Sequence, residues 1–247
     1  MKNSVNKDAI VTGAASGIGK AVALLHASEV VKVVVNDRNE KNGNETVSLI
    51  ESQDGEAIFI KGDTSNPENQ KSTVERIVKK YGGLHIAYNN AGIGGDLVPT
   101  GDYPIEDWDK IISIDLSDVF YGLRYQIPAT LSIGEDCSIV NMESILVMVG
   151  SKNVAGYVAA KHGVVGLTKT AALDYTDKQI RINAVGPRYI NTPLLSDSLD
   201  EDSIKSPLGL HPSGRLGTSE EVAELVLWLS SSNSSFMTGS YYTIDVC

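Results

Sequence analysis

The chain has little cysteine, little histidine and no accumulated positive charge, and each shortage closes off a class of function. Only Cys137 and Cys247 occur in 247 residues, more than a hundred positions apart, and the four histidines are scattered. Neither a disulfide framework nor a metal-ligand cluster can be read from such spacing. Acidic residues outnumber basic ones 31 to 21, so the positive field that nucleic acid or an anionic membrane demands is missing. No apolar run approaches the roughly 20 residues that span a bilayer, and Met1 to Lys7 lacks the apolar core of a signal segment. Length and composition are those of one globular domain. The expectation is a cytoplasmic protein with no nucleic-acid or membrane partner that acts on a small molecule.

What is present is a regular alternation. Ala9 to Thr12 is a short apolar run that enters Gly13-Ala14-Ala15-Ser16-Gly17-Ile18-Gly19, after which Lys20 to Glu29 is helix-forming. Strand, glycine turn and helix in that order let the backbone approach a pyrophosphate and place it at a helix N-terminus. Val33 to Asn36 forms the next strand and ends on Asp37, close to the offset of about 20 residues at which an acid accepts hydrogen bonds from an adenosine ribose. A carboxylate there repels a 2′-phosphate, which favours NAD over NADP, whereas the neighbouring Arg38 would tolerate one. Asn39 to Gln53 and Glu68 to Tyr81 have helical periods, and Glu56 to Lys61 and Leu84 to Tyr88 read as strands. Alternating strands and amphipathic helices imply an α/β fold with a parallel sheet covered on both faces. In such sheets ligands bind beyond the carboxyl ends of the strands. Gly13, Asp37, Asp63 and Asn90 to Gly92 all fall there.

The second half continues the pattern. Gly94 to Tyr103 is a loop, Ile105 to Leu131 a long helical stretch, Ser138 to Met142 a strand, Val154 to Asp174 a helix rich in small residues, and Ile180 to Val185 a strand. Asn191 to Gly217 holds three prolines and few periodicities and reads as a cover over the site. A helix over Ser219 to Ser230 and a strand over Ser240 to Ile244 follow.

Tyr157 and Lys161 lie four apart on the helix from Val154, hence on one face. A free phenol has a pKa of about 10, and a nearby ammonium favours the phenolate and pulls that value down. The pair therefore suggests a tuned proton donor for carbonyl chemistry.

Taken together these residues resemble the short-chain dehydrogenase/reductase family over almost the whole chain. Thr12 to Gly19 is similar to its T-G-x-x-x-G-x-G turn and Asn89-Asn90-Ala91-Gly92 to its N-N-A-G. Ser144 stands thirteen residues before Tyr157, as the family's serine does, and Pro187-x-x-Ile190-x-Thr192 resembles its nicotinamide-contacting segment. The resemblance implies a single Rossmann-type domain over residues 1–247, a doubly wound parallel sheet with helices on both faces. It implies hydride transfer between NAD(H) and a secondary alcohol or its ketone, with Tyr157 exchanging the proton, Ser144 bonding the substrate oxygen and Lys161 holding the nicotinamide ribose. Ser16, Gly17 and Ile18 would meet the pyrophosphate, and Asp63 and Thr64 the adenine. Asn90, Ala91 and Gly92 would border the adenosine side, and Ile190 and Thr192 the carboxamide. NADPH-dependent 3-oxoacyl carrier-protein reduction shares these motifs but would prefer a basic residue to Asp37. A silent dinucleotide-binding protein is the alternative of another class.

Several positions depart from the family pattern. Asp115 replaces the usual asparagine, whose main-chain carbonyl is thought to hold a water joining the lysine to solvent. Its charge is expected to pair with Lys161 and raise the tyrosine pKa. Arg188 replaces a glycine and is expected near phosphate or in the nicotinamide pocket. Val30-Val31 stands where glycine would more easily adopt positive φ. Asp245-Val246-Cys247 replaces a longer tail, which bears on assembly; Glu143 is less usual than a small residue. The substrate pocket is expected along Gly94 to Val98, Ile145 to Gly150, Asn153 and the cover from Leu194, a mixed, fairly apolar wall suited to a small neutral ketone or secondary alcohol. A homo-tetramer or homo-dimer is expected from the small-residue helix faces.

Overall fold

The computed structural model describes residues 7–198 and 212–246. Seven strands form one parallel sheet: β1 (Asp8–Thr12), β2 (Lys32–Asp37), β3 (Ala57–Lys61), β4 (Ile86–Asn89), β5 (Cys137–Met142), β6 (Ile180–Pro187) and β7 (Tyr241–Ile244), in the order β3-β2-β1-β4-β5-β6-β7. The order reverses between β1 and β4. At that point the crossovers leave on opposite faces and a crevice opens beyond the strand ends. In β1 the residues alternate as the pleat demands. Ala9 and Val11 face one core with Val22 and Ala23 of α1 (Gly17–Ser28), and Ile10 faces the other with Val74 and Ile77 of α3 (Pro67–Tyr81). The sheet is thus buried on both sides, which is why its strands read as nearly continuous apolar runs.

The remaining helices are α2 (Glu40–Glu51), α4 (Ile105–Ile112), α5 (Asp118–Leu131), α6 (Ala155–Tyr175), α7 (Pro193–Ser198) and α8 (Ser219–Ser230). Asn66 caps α3 by accepting the Glu68 and Asn69 amides, and Thr218 with Glu221 forms a reciprocal capping box on α8. A buried amide network fixes α5 and α6 to the sheet. Asn89 exchanges bonds with Gln126 at 2.7 and 3.1 Å and donates to Asn141 at 2.9 Å, and Asn141 donates to Thr168 at 2.9 Å. Each of these buried amides would be costly without its partner.

The expected long helix over Ile105 to Leu131 is not continuous. A π-turn over Ser113–Ser117 separates α4 from α5. It turns Asp115 inward, where its Oδ1 accepts the Ile93 amide at 2.8 Å beyond the end of β4. Such widened turns concentrate at functional sites. The cover expected over residues 191–217 has its two ends joined by a short parallel bridge, Asn191 donating to the Gly217 carbonyl at 2.9 Å and Gly217 to that of Tyr189 at 3.0 Å. Its middle, 199–211, lies outside the described residues.

The α1 terminus carries the strain expected at Val30. Val31 donates to the His26 carbonyl and Val30 to that of Ala27, the paired bonds of a Schellman ending. Val30, at the position that favours glycine, has φ 63°. A β-branched residue there is a conformational outlier, and with 61% of its surface exposed little packing offsets the strain. Val30→Gly is expected to raise stability by about 1 kcal/mol, the left-handed penalty less the greater entropy lost by glycine. Denaturant unfolding checks this; a variant less stable than the parent would show the valine packing to be worth more than the strain.

Candidate active site

The crevice between β1 and β4 opens into a cavity of about 610 Å³ lined by residues from the carboxyl ends of the strands. The turn after β1 is held by Thr12. Its hydroxyl accepts the amides of Asn90 at 2.9 Å and Ala91 at 3.1 Å, while the Asn90 side chain donates to the Thr12 carbonyl at 3.0 Å. Asn90 therefore spends its amide bracing the turn, and Ala91 and Gly92 continue the wall beside it. Gly13 has φ 64°, a conformation that costs glycine little. Gly19 lines no part of the cavity; a Cβ there would run into the Gly13 carbonyl. Ser16, Gly17 and Ile18 form the wall at the start of α1, and the Ser16 hydroxyl makes no capping bond to the helix.

Asp37 ends β2 on the cavity rim with its carboxylate fixed on both sides. Oδ2 accepts the Ala15 amide at 3.0 Å and Oδ1 the Asn39 amide at 2.9 Å. Arg38, Asp63 and Thr64 continue this end of the wall, with Asp63 Oδ1 accepting from both the amide and the hydroxyl of Ser65. A narrow glycine-floored cradle, a helix N-terminus and a fixed acid at the next strand end fit the pyrophosphate and ribose of a dinucleotide.

At the opposite end the cavity meets Ser144, Tyr157 and Lys161. Ser144 follows β5, and its Oγ accepts the Leu146 amide at 3.2 Å. Its carbonyl accepts the Tyr241 hydroxyl at 2.8 Å, so β7 also pins this turn. Gly186 is needed beneath that contact, because a Cβ there would collide with the Tyr241 ring. Tyr157 and Lys161 share one face of α6, with Nζ 5.5 Å from the centre of the phenol ring and donating to the Met142 carbonyl at 3.3 Å. Pro187, Ile190 and Thr192 also line the cavity, with the Thr192 side chain close to Gly17.

The electrostatics correct two expectations. Burial pushes the Tyr157 phenol up from its ordinary value; Lys161 pulls it down, Asp115 and Glu143 raise it, and the Ser144 hydroxyl lowers it. The cation acts as argued from the sequence, but desolvation outweighs it. Nor does Asp115 form an ion pair with Lys161 within 4 Å among the described residues; its bonded partner is the Ile93 amide. Burial pushes the Asp115 carboxyl up to about 6 against the pull of Lys161 and that amide. Lys161 itself, 3% exposed, is pushed down by burial and up by Asp115, Tyr157, Glu143 and Asp118, with a net rise. The expected influence of Asp115 on the tyrosine is thus exerted through the field rather than through a contact.

Other departures resolve in the same way. Arg188 lines the cavity, but its Nη1 lies 3.3 Å from Asp245 Oδ2 and its guanidinium covers the Tyr189 ring. It is drawn toward the end of β7. Of the expected substrate wall, Gly94, Leu97, Ile145, Leu146, Leu194 and Leu195 line the cavity, while Val98 and Asn153, whose backbones are bonded to each other, do not. Val147 to Gly150 also lie off the wall, and Ser151, Lys152 and Val154 take their place. A 3₁₀ turn over Ile145–Val147 redirects the chain there, and the sequence carried no periodic signal for it.

The chain matches a family model described as enoyl-(acyl carrier protein) reductase over residues 13–246. It is 48% identical to cyclohexanol dehydrogenase of Acinetobacter sp. (strain SE19), covering 97% of this chain and 94% of that one. Among solved structures it resembles levodione reductase with a TM-score of 0.93 at 32% identity, covering 98% of this chain and 96% of that one. NAD+-bound xylitol dehydrogenase gives 0.92 at 28% identity, with 99% of each chain covered. These likenesses extend over nearly the full length of the chain. The chain belongs to the short-chain dehydrogenase/reductase family, oxidoreductases of alcohols and carbonyls that bind a nicotinamide dinucleotide.

Proposed function

We propose that this protein interconverts a small, neutral, cyclic secondary alcohol and its ketone with NAD(H). The observation that carries the proposal is that Asp37 and the trio Ser144, Tyr157 and Lys161 line opposite ends of one cavity. When bound, the nicotinamide supplies or accepts the hydride. The protein's own groups do the rest. Ser144 donates a hydrogen bond to the substrate oxygen, and Tyr157 takes the alcohol proton during oxidation or returns it during reduction. Lys161 bonds the nicotinamide ribose and favours the phenolate. Asp37 accepts from the adenosine ribose, with Ser16, Gly17 and Ile18 at the pyrophosphate, Asp63 and Thr64 at the adenine, and Pro187, Ile190 and Thr192 at the carboxamide. Leu97, Ile145, Leu146 and Leu194 make the substrate end apolar, which suits a ring without charge. The relative active on cyclohexanol supports the same substrate class.

A homo-dimer or homo-tetramer is part of this reading. It is supported by Phe120 on α5 and Leu173 on α6, large apolar side chains held at the surface. No described helix is long and apolar enough to cross a membrane, and we assign the protein to the cytoplasm.

Two substitutions test the assignment. Tyr157→Phe keeps the ring and deletes the ionisable oxygen, so kcat for cyclohexanol oxidation is expected to fall by about 10² to 10⁴ while NADH binding changes by no more than a few-fold. Undiminished turnover would remove Tyr157 from the proton transfer. For cofactor choice, the wild type is expected to prefer NAD over NADP, and Asp37→Ala to lower that preference by about tenfold or more, because a like-charge clash costs several kcal/mol. Steady-state kinetics with both dinucleotides decide the matter; a wild type faster with NADPH would contradict the assignment.

A further inference from the structure

Glu143 is a cavity residue to which the chemistry above gives no task. It lies between the end of β5 and Ser144, and its amide donates to the Val185 carbonyl at 2.7 Å, which locks this segment beside β6. The side chain is 2% exposed and neither carboxyl oxygen has a hydrogen-bond partner among the described residues, yet the residue forms part of the wall together with Ser144, Tyr157, Pro187 and Thr192. A buried, unpartnered acid is retained at a cost, and its position at the nicotinamide end points to a ligand.

The surrounding charges narrow what that ligand must be. Lys161, Asp115 and Asp118 act on Glu143, which in turn acts on Tyr157 and on Tyr241 of β7. One ammonium therefore serves three buried carboxyls. Burial holds Asp115 at about 6, and of the acids it raises Lys161 the most. Burial pushes both Asp118 and Glu143 well above the usual carboxyl range despite the pull of Lys161. One more positive charge in the cavity would favour the ionised form of an acid beside it. Of these two acids, Glu143 lines the cavity and Asp118 does not.

We infer that Glu143 is a positioning acid that responds to the charge of the nicotinamide ring, protonated beside the neutral reduced ring and ionised beside the cationic oxidised ring. This rests on the reading that the cavity takes a nicotinamide dinucleotide. Glu143 gives its proton to solvent when the oxidised form binds and regains one when the ring becomes neutral. Alcohol oxidation then releases its single proton at cofactor binding instead of at hydride transfer, and the overall balance of one proton per turnover is unchanged. By linkage, the oxidised form binds more tightly as pH rises, whereas the reduced form does not.

Calorimetry of NAD+ and NADH binding to the wild-type protein near pH 7, in phosphate and in Tris, measures the protons released. NAD+ is expected to release more than NADH, by a difference approaching one proton. In Glu143→Gln that difference vanishes and NAD+ affinity at pH 8 falls by about tenfold, the equivalent of one pKa unit, with NADH affinity kept. Asp118→Asn retains the difference. Equal proton release with both nucleotides in the wild type overturns the inference whatever the variants do, as does a difference that survives Glu143→Gln or disappears in Asp118→Asn. Binding of neither nucleotide to the wild type removes the cofactor reading itself and this inference with it.

Discussion

A single buried ammonium sets the terms for the part of the cavity that holds Ser144 and Tyr157. Lys161 is withdrawn from water, and an isolated charge in that position would cost several kcal/mol. The fold meets that demand with the Met142 carbonyl at 3.3 Å and with acids drawn from three different elements: Asp115 from the π-turn, Asp118 from α5 and Glu143 from the end of β5. Asp115 in place of the family's asparagine is therefore no isolated insertion of charge. It shares a field with a lysine that Asp115 above all helps to keep protonated, and a protonated Lys161 is the state that lowers the barrier to ionising Tyr157.

The dinucleotide end depends on a different constraint, close approach of backbone to backbone. Thr12 ties the end of β1 to the segment after β4, and glycines at 13 and 19 let the turn fold on itself. The same crevice that the strand order creates is thus lined both by the glycine turn and Asp37 and by Ser144, Tyr157 and Lys161. Parallel β5 and β6 bring Ser144 and Pro187 to adjacent strand ends.

Much of this was legible in the residues. The strands announce themselves because both faces of the sheet are buried, and the glycine turn, Asp37, Ser144, Tyr157 and Lys161 stand at spacings that together resemble one family. Val30 could be marked as strained from its place after a helix. The π-turn could not, since five residues of widened helix within Ile105 to Leu131 alter no hydrophobic period. The direction of the Tyr157 shift was missed for a physical reason: sequence supplies the neighbouring cation but not the depth of burial that opposes it. Arg188 and Asp245 are 57 residues apart, and nothing local in either stretch tells that they meet. The amide network of Asn89, Gln126, Asn141 and Thr168 was invisible in the same way.

The central claim is that the Lys161 ammonium poises the Tyr157 phenol despite its burial. It is tested most directly by following the tyrosine ring carbons with ¹³C NMR across pH in the wild type and in Lys161→Met, with Tyr157→Phe assigning the signal. The Tyr157 resonance is expected to titrate at lower pH in the wild type than in the lysine variant, by about one unit or more, as loss of a close opposite charge requires. Identical titration in the two proteins, with both folded, would contradict the claim.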